Sequence, residues 1–193
     1  LELFDYRIGF ISGNAANNSV KNLAQAIPGG RDFTLVGGDG YAALSGNTLT
    51  AIAATPTATT VRLKYIADSR NGDTIAKTVK VHVLNGYTNV SGEWSDLYNA
   101  IMQSGDVRNV VVQSAMTSPA NAAKSDGFVF IDYDYDISLG NRVYPEAGPS
   151  PYTLNLYGNA LKWDVSSMIM NGIDIFRIEW IAKTINITDV HMF

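Results

Sequence analysis

The sequence predicts a mostly β protein, and two patterns carry that prediction. Apolar and polar residues alternate with the two-residue period of half-buried strands, as at Val79, Val81 and Val83 and again at Ile185 and Ile187. Gly, Asn and Ser recur between these segments, where corners need backbone conformations that Gly and Asn tolerate. With 193 residues, the chain is long enough for one large domain or two small ones.

The opening segment, residues 1–30, combines a strand with a short helix. Apolar residues alternate from Leu3 to Phe10 and predict a strand, which is either a lead-in or the tail of a preceding module. Ser19 is a good N-cap for a helix over Val20–Ile27, where apolar residues recur every three or four positions. A Pro-Gly-Gly run then ends the helix.

Residues 31–86 are predicted to be strands and turns throughout. The stretch DSRNGD, residues 68–73, separates two alternating segments, and its Asn71-Gly72 pair suits the tight turn of a β-hairpin. The order YAALSGNTLTAIAATPTATTVRLKYIA, followed by AKTVKVHVL, resembles a bacterial Ig-like (Big-type) domain. This resemblance implies an Ig-like β-sandwich that acts as a spacer or an adhesive module. The alternative is another kind of small β-sandwich.

A linker and a second helix open the next segment, residues 87–193. The composition of residues 85–92, NGYTNVSG, is typical of a linker. A helix is predicted over Glu93–Gln103 with Ser95 as its N-cap, and a strand over Val107–Met116 follows. The helix is either a plain surface helix or a cap that covers the apolar end of a stack of strands.

The closing stretch consists of short apolar segments separated by polar corners. Its order, YTLNLYGNALKW followed by FRIEWIAKTINITDVHMF, resembles the first coils of a right-handed parallel β-helix. That family includes pectate-lyase-like proteins and bacteriophage tailspikes. The expected fold is therefore an Ig-like β-sandwich followed by the N-terminal coils of a parallel β-helix with a short capping helix. An antiparallel sandwich is the alternative for this stretch.

Composition and charge exclude several classes of function. The net charge is −4 and no basic run occurs, which argues against binding to nucleic acid. No apolar stretch approaches the roughly 18 residues of a membrane span. The absence of cysteine excludes disulfides and thiolate metal sites. Because the chain begins at Leu1 without a signal peptide and ends on an apolar strand, we interpret it as a segment of a longer polypeptide.

The string GFVFIDYDYDISLG contains the candidate metal site. In one continuous strand, Asp132, Asp134 and Asp136 would share a face, with successive residues on it about 7 Å apart. Three such carboxylates are candidate ligands for calcium, the only cofactor that the residues suggest. They could also provide a pair of catalytic carboxylates, or form a solvated strand face that discourages edge pairing.

Other candidate chemistry is sparse. His82 and His191 are the only histidines, and both fall in predicted strands, so they provide neither a zinc site nor a catalytic triad. The Gly-rich run at residues 37–40 lacks the Lys-Ser/Thr of a phosphate loop. Tyrosine and tryptophan are frequent in the second half, where exposed rings could stack on sugars and buried ones would fill the core.

The two resemblances together imply a surface appendage built from several modules. We expect a structural attachment segment of a bacteriophage virion appendage (a tail spike, fibre or tail protein) that takes part in host-surface recognition. The resemblance implies a homotrimer, contacts with other virion proteins, and a host cell-surface polysaccharide as ligand. It carries over no catalytic residue, which favours a non-enzymatic segment. The alternatives are the non-catalytic part of a secreted polysaccharide lyase or glycoside hydrolase, and a bacterial surface adhesin.

Overall fold

The computed structural model describes residues 5–68, 71–102, 107–131, 134–136, 141–143, 153–179 and 184–193. For residues 129–131, 134–136, 141–143 and 178–179 it describes the backbone alone. Strands predominate in these ranges, which confirms the prediction of a mostly β protein. The division into segments at residues 30 and 86 stays a prediction.

The first half of the chain forms two sheets. Its elements are β1 (Asp5–Phe10), β2 (Ser19–Val20), α1 (Leu23–Ala26), β3 (Gly30–Gly37), β4 (Ala42–Ser45), β5 (Thr48–Ala51), β6 (Val61–Asp68) and β7 (Thr74–Asn85). The first sheet has the order β1-β7-β6-β3, in which β1 runs parallel to β7 and the other pairs are antiparallel. The second sheet, β2-β5-β4, is antiparallel.

The predicted hairpin is confirmed, whereas the predicted first helix is too long. Asp68 of β6 pairs with Thr74 of β7, and Gly72 in the turn has a φ of 83°, a value that favours glycine. Helix α1 spans only four residues because Ser19 and Val20 pair with β5 and are held as a strand. One apolar cluster collects buried residues from β1, β2 and α1 together with residues from the later strands of both sheets.

The described part of the second half contains more strands, two short α-helices and a 3-10 helix at Lys124–Asp126. Its elements are β8 (Thr88–Val90), α2 (Trp94–Met102), β9 (Val107–Val112), β10 (Met116–Thr117), β11 (Phe128–Ile131), β12 (Asp134–Asp136), β13 (Asn141–Val143), β14 (Thr153–Tyr157), β15 (Lys162–Asp164), α3 (Ser166–Met170), β16 (Phe176–Glu179), β17 (Thr184–Thr188) and β18 (His191–Met192). Helix α2 begins at Trp94, so Ser95 lies inside its first turn and the predicted N-cap is wrong.

Three parallel sheets repeat the same order of strands and together form what we call the parallel stack. They are β8-β9-β14-β17, β10-β15-β18 and β11-β16. The chain runs through the sheets in successive passes: β9, β10 and β11 form the first pass, β14, β15 and β16 the second, and β17 and β18 the third. The antiparallel alternative for the closing stretch is therefore wrong. The pair β12–β13, which lies between two passes, is antiparallel.

Side chains of equal position lie above one another inside the stack. Leu156 pairs with Val110 on one side and with Ile187 on the other, and Trp163 lies between Met116 and Met192. Val110, Leu156, Met116 and Trp163 belong to the second apolar cluster of the chain, to which α2 contributes Trp94, Leu97 and Ile101. Helix α2 packs against β8, β9 and β11, at the opposite end of the stack from β17. It is therefore part of the core.

Candidate functional site

Strand β1 lies at the edge of the first sheet, and side chains close its outer edge. The amide of Asn159 accepts a hydrogen bond from the Arg7 N–H (2.8 Å) and donates one to the Arg7 carbonyl (2.9 Å). The amide of Asn89 does the same for Gly9, at 2.7 and 2.9 Å. Because a primary amide offers a donor beside an acceptor, each side chain replaces one residue of a neighbouring strand. These bonds join the first sheet to the parallel stack.

Gln113 completes this junction, which consists of Tyr6, Arg7, Gly9, Asn89, Gln113 and Asn159. The Gln113 Nε2 donates to the Arg7 carbonyl (3.0 Å) and to Oδ1 of Asn89 (2.8 Å). Its Oε1 accepts from the hydroxyl of Tyr6. Asn159 has a φ of 51°, a left-handed conformation that Asn tolerates better than most residues. The junction is held by neutral amides whose polar atoms are paired, so burying it leaves no uncompensated charge.

Burial raises the pKa of the Tyr6 phenol far above its ordinary value of about 10. The neutral form is therefore the one that the fold favours, and its contribution to stability is present below pH 10 and lost as pH rises toward the folded-state pKa.

We expect Tyr6→Phe to lower the free energy of unfolding at pH 7 by about 1 kcal/mol, because Gln113 loses a donor. Urea unfolding between pH 7 and 11 should then show a weaker decline for the variant than for the wild type.

The control is Tyr41→Phe, at a half-buried tyrosine outside the junction. Its unfolding free energy should follow the wild type across the same pH range. Ionisation of Tyr6 near pH 10 in the folded protein, detected by phenolate absorbance, would contradict its burial in the junction.

Beside the junction lies a half-exposed outer cluster made of Arg7, Tyr87, Tyr157 and Asp189. The Arg7 guanidinium lies 4.5 Å from the ring centre of Tyr157 and 2.7 Å from a carboxylate oxygen of Asp189. The two tyrosine rings are 5.7 Å apart with an angle of 40° between their planes. Burial, followed by the proximity of Tyr157, raises the pKa of Tyr87. The cluster thus presents neutral aromatic rings held by a charge pair.

A row of three asparagines continues from the outer cluster across the parallel stack. Asn155 donates a hydrogen bond to Oδ1 of Asn109 and accepts one from Nδ2 of Asn186, both at 2.8 Å. Asn109 precedes Asn155 by 46 residues and Asn186 follows it by 31. Asn155 and Tyr157 have the same parity in β14, so this amide row and the outer cluster share one face. Because an amide nitrogen has two hydrogens and its oxygen two lone pairs, the bonds within the row leave a donor and an acceptor on Asn155 for a ligand.

A cleft of about 470 Å³ lies between the first half and the stack. Its walls include Lys21 and Gln25 on one side and Glu93 and Ser114 on the other. The volume lies in the range of small-molecule sites. Ser114 Oγ is buried and has no hydrogen-bond partner among the residues that the structure describes. We assign the cleft no ligand.

The acidic string falls mostly outside what the structure describes. Asp132 lies outside the described residues, and Asp134 and Asp136 belong to β12, for which the backbone alone is described. Among the described residues, no group of three or more His, Asp or Glu side chains is arranged to hold a metal ion. Calcium binding by Asp132, Asp134 and Asp136 stays a prediction.

The histidines lie where the alternation placed them, in strands. His82 lies in β7, with its Nε2 3.2 Å from a carboxylate oxygen of Asp5, and His191 is exposed in β18. Sequence reasoning overlooked the asparagines of the amide row. The signal was present in the sequence, since the triplets Arg-Asn-Val, Leu-Asn-Leu and Ile-Asn-Ile place Asn between larger residues in three strands.

The described helices are all too short to cross a lipid bilayer.

The candidate functional site is the outer face of the stack, which is formed by the amide row and the outer cluster. No family model, curated protein or solved structure matches this chain.

Proposed function

We propose that residues 87–193 are the first coils of a right-handed parallel β-helix and that residues 31–86 are an Ig-like sandwich. The repeated order of strands in three parallel sheets supports the first assignment, and the position of α2 at one end supports its role as a cap. The two sheets around a shared apolar cluster support the second.

We infer that the segment is a structural and attachment part of a bacteriophage virion appendage that contacts host-surface polysaccharide. The observation that carries this proposal is the outer face, where an amide row lies beside two half-exposed tyrosines. Sugars offer hydroxyls that both donate and accept hydrogen bonds, and apolar ring faces that stack on aromatic side chains. Neutral amides and tyrosines match that chemistry, and the charges of Arg7 and Asp189 in the outer cluster compensate each other.

The junction supports the structural half of the proposal. An appendage must hold its modules in a fixed relation while it contacts a surface. The buried side chains of Gln113 and Asn159 and the half-buried side chain of Asn89 bond the edge of the first sheet to the stack, which is a stiffer connection than a flexible linker.

We expect the protein to bind neutral polysaccharide from bacterial surfaces and Tyr157→Ala to weaken that binding at least tenfold. The substitution removes a ring that stacks on sugar and releases Arg7 and Tyr87 from their positions. Binding should be measured by calorimetry against a panel of purified surface polysaccharides. Circular dichroism of each variant would establish that it remains folded.

Tyr41→Ala is the matched control, because Tyr41 is also half-buried but packs on the cluster of the first half. It should leave polysaccharide binding unchanged. Equal loss in both variants, or no binding to any member of the panel, would contradict the attachment role. Shortening of the polysaccharide during the assay would instead favour a secreted lyase or hydrolase.

A further inference from the structure

The outward face of the first sheet carries positive side chains at its centre. In β6, exposed Arg62 and Lys64 alternate with buried residues that point into the apolar cluster. Lys80 of β7 lies directly opposite Arg62, and Lys64 lies between Thr34 of β3 and Thr78 of β7. Residues directly opposite one another in a sheet share a face, so these five residues form one surface, which we call the basic face.

The basic face holds like charges close together. The Cβ atoms of directly opposite residues such as Arg62 and Lys80 are about 5 Å apart. Lys64 follows Arg62 on the same face at about 7 Å, two residues further along the strand. Like charges in this arrangement destabilise a sheet, and here they occur in a chain whose net charge is −4. The face therefore concentrates positive potential on an otherwise acidic protein.

Acidic side chains around the basic face are engaged elsewhere. Asp5 lies on the other side of Lys80 from Arg62, and one of its carboxylate oxygens is 3.2 Å from Nε2 of His82. Neither Arg62 nor Lys64 forms an ion pair with a residue that the structure describes. The charge on the β6 side of the face is therefore available to an anion from outside.

Asp68, at the end of β6, does not neutralise this charge either. Its carboxylate oxygen lies 2.8 Å from the guanidinium of Arg31, and this contact lowers the pKa of Asp68. The pair compensates itself at the margin of the sheet.

We propose that the basic face binds the anionic groups of an acidic polysaccharide. Its cations match carboxylate or sulfate groups, and the hydroxyls of Thr34 and Thr78 on either side of Lys64 match sugar hydroxyls, which both donate and accept hydrogen bonds. The basic face contains none of the residues of the outer cluster. The proposal therefore goes beyond the proposed function and does not depend on it.

The composition of the basic face favours a polysaccharide over other polyanions. Threonines flank Lys64, in place of the aromatic rings on which nucleic-acid bases stack. Three cations are also fewer than the roughly six to ten phosphate contacts that hold proteins on DNA. A docked acidic protein would need an apolar centre with charges at the rim, whereas the centre of this face is charged.

The test is calorimetric titration of the intact protein with dextran sulfate, with uncharged dextran of the same length as the comparison. We expect binding of dextran sulfate alone, and weaker binding as salt screens the charges. The double variant Arg62→Gln/Lys64→Gln should raise the Kd at least about fivefold, since it removes two exposed charge contacts. The matched control is Lys21→Gln/Lys124→Gln, which removes the same charge at two exposed positions outside the face and should bind as the wild type does.

Equal loss in the two double variants would overturn the proposal, because net charge alone would then explain the binding. No binding of dextran sulfate at low salt would also overturn it. Duplex DNA that binds as tightly as dextran sulfate would overturn it in favour of a nucleic acid. Tyr157→Ala should bind dextran sulfate as the wild type does, so a failure of this proposal can be told from a failure of the proposed function.

Discussion

Trp163→Ala is expected to lower the free energy of unfolding by about 3–5 kcal/mol, the largest loss of any substitution considered. Trp163 is fully buried in the middle of the stack, between Met116 and Met192. Its ring meets Trp94 of α2 edge-on at 6.1 Å and lies 6.4 Å from the ring of Phe176. Removing the indole leaves a cavity that three passes of the chain and α2 would have to fill. Urea unfolding followed by circular dichroism measures the loss.

Trp163→Phe is the matched control. The Nε1 of Trp163 is buried without a hydrogen-bond partner in the structure, so replacing the indole by a phenyl ring removes an unsatisfied donor while it keeps most of the packing. We expect this variant to lose less than half of the stability that the alanine variant loses. Equal losses in the two variants would show that packing in the middle of the stack is not what the indole contributes.

Asn159→Asp is expected to cost about 3 kcal/mol at pH 7, although it changes one atom. The nitrogen of Asn159 donates to the carbonyls of Arg7 (2.9 Å) and Val112 (3.0 Å). A carboxylate would face both carbonyls without a proton to donate, in a position only 2% exposed. Unfolding by urea at pH 7 measures the cost.

The pH dependence identifies the cause. Burial against two carbonyls favours the protonated acid, so the pKa of Asp at this position should rise above its unfolded value of about 3.9. Below the unfolded-state pKa the acid is protonated in both states, and its proton restores a hydrogen-bond donor. The loss of unfolding free energy relative to the wild type should therefore grow as pH rises through the folded-state pKa. The control is Asn47→Asp, at an exposed turn, whose stability should stay close to that of the wild type at all pH values. A deficit independent of pH would contradict the assigned hydrogen bonds.

The alternation in the sequence predicted the strands well, because it reports burial on one face. It placed Val79, Val81 and Val83 in the core, and it placed Leu154 and Leu156 there as well. The first helix came out too long because its apolar spacing does not fix the residue at which the helix begins, and Ser19 and Val20 pair with β5 instead. A local sequence pattern does not show which strand a segment pairs with when that strand lies about thirty residues further along the chain, as β5 does here.

The candidate site was harder to predict than the strands. Asn89 and Asn159 appear in the sequence as ordinary linker and corner residues. Their role depends on the edge of β1, more than 70 residues away, which they close with their side-chain amides. The amide row depends on the register of the strands, which sets Asn155 opposite Asn109 on one side and Asn186 on the other. The repeated Asn in three strands was the one local sign of it.

Amide hydrogen exchange at β1 tests most directly the claim that side chains join the first sheet to the stack. The N–H groups of Arg7 and Gly9 point away from β7 and bond to Asn159 and Asn89. We predict that both exchange as slowly as the amides of β6 and β7, and that Asn159→Ala speeds exchange at Arg7 while β6 stays protected. Fast exchange at Arg7 and Gly9 in the wild type, at rates typical of an open sheet edge, would contradict the account.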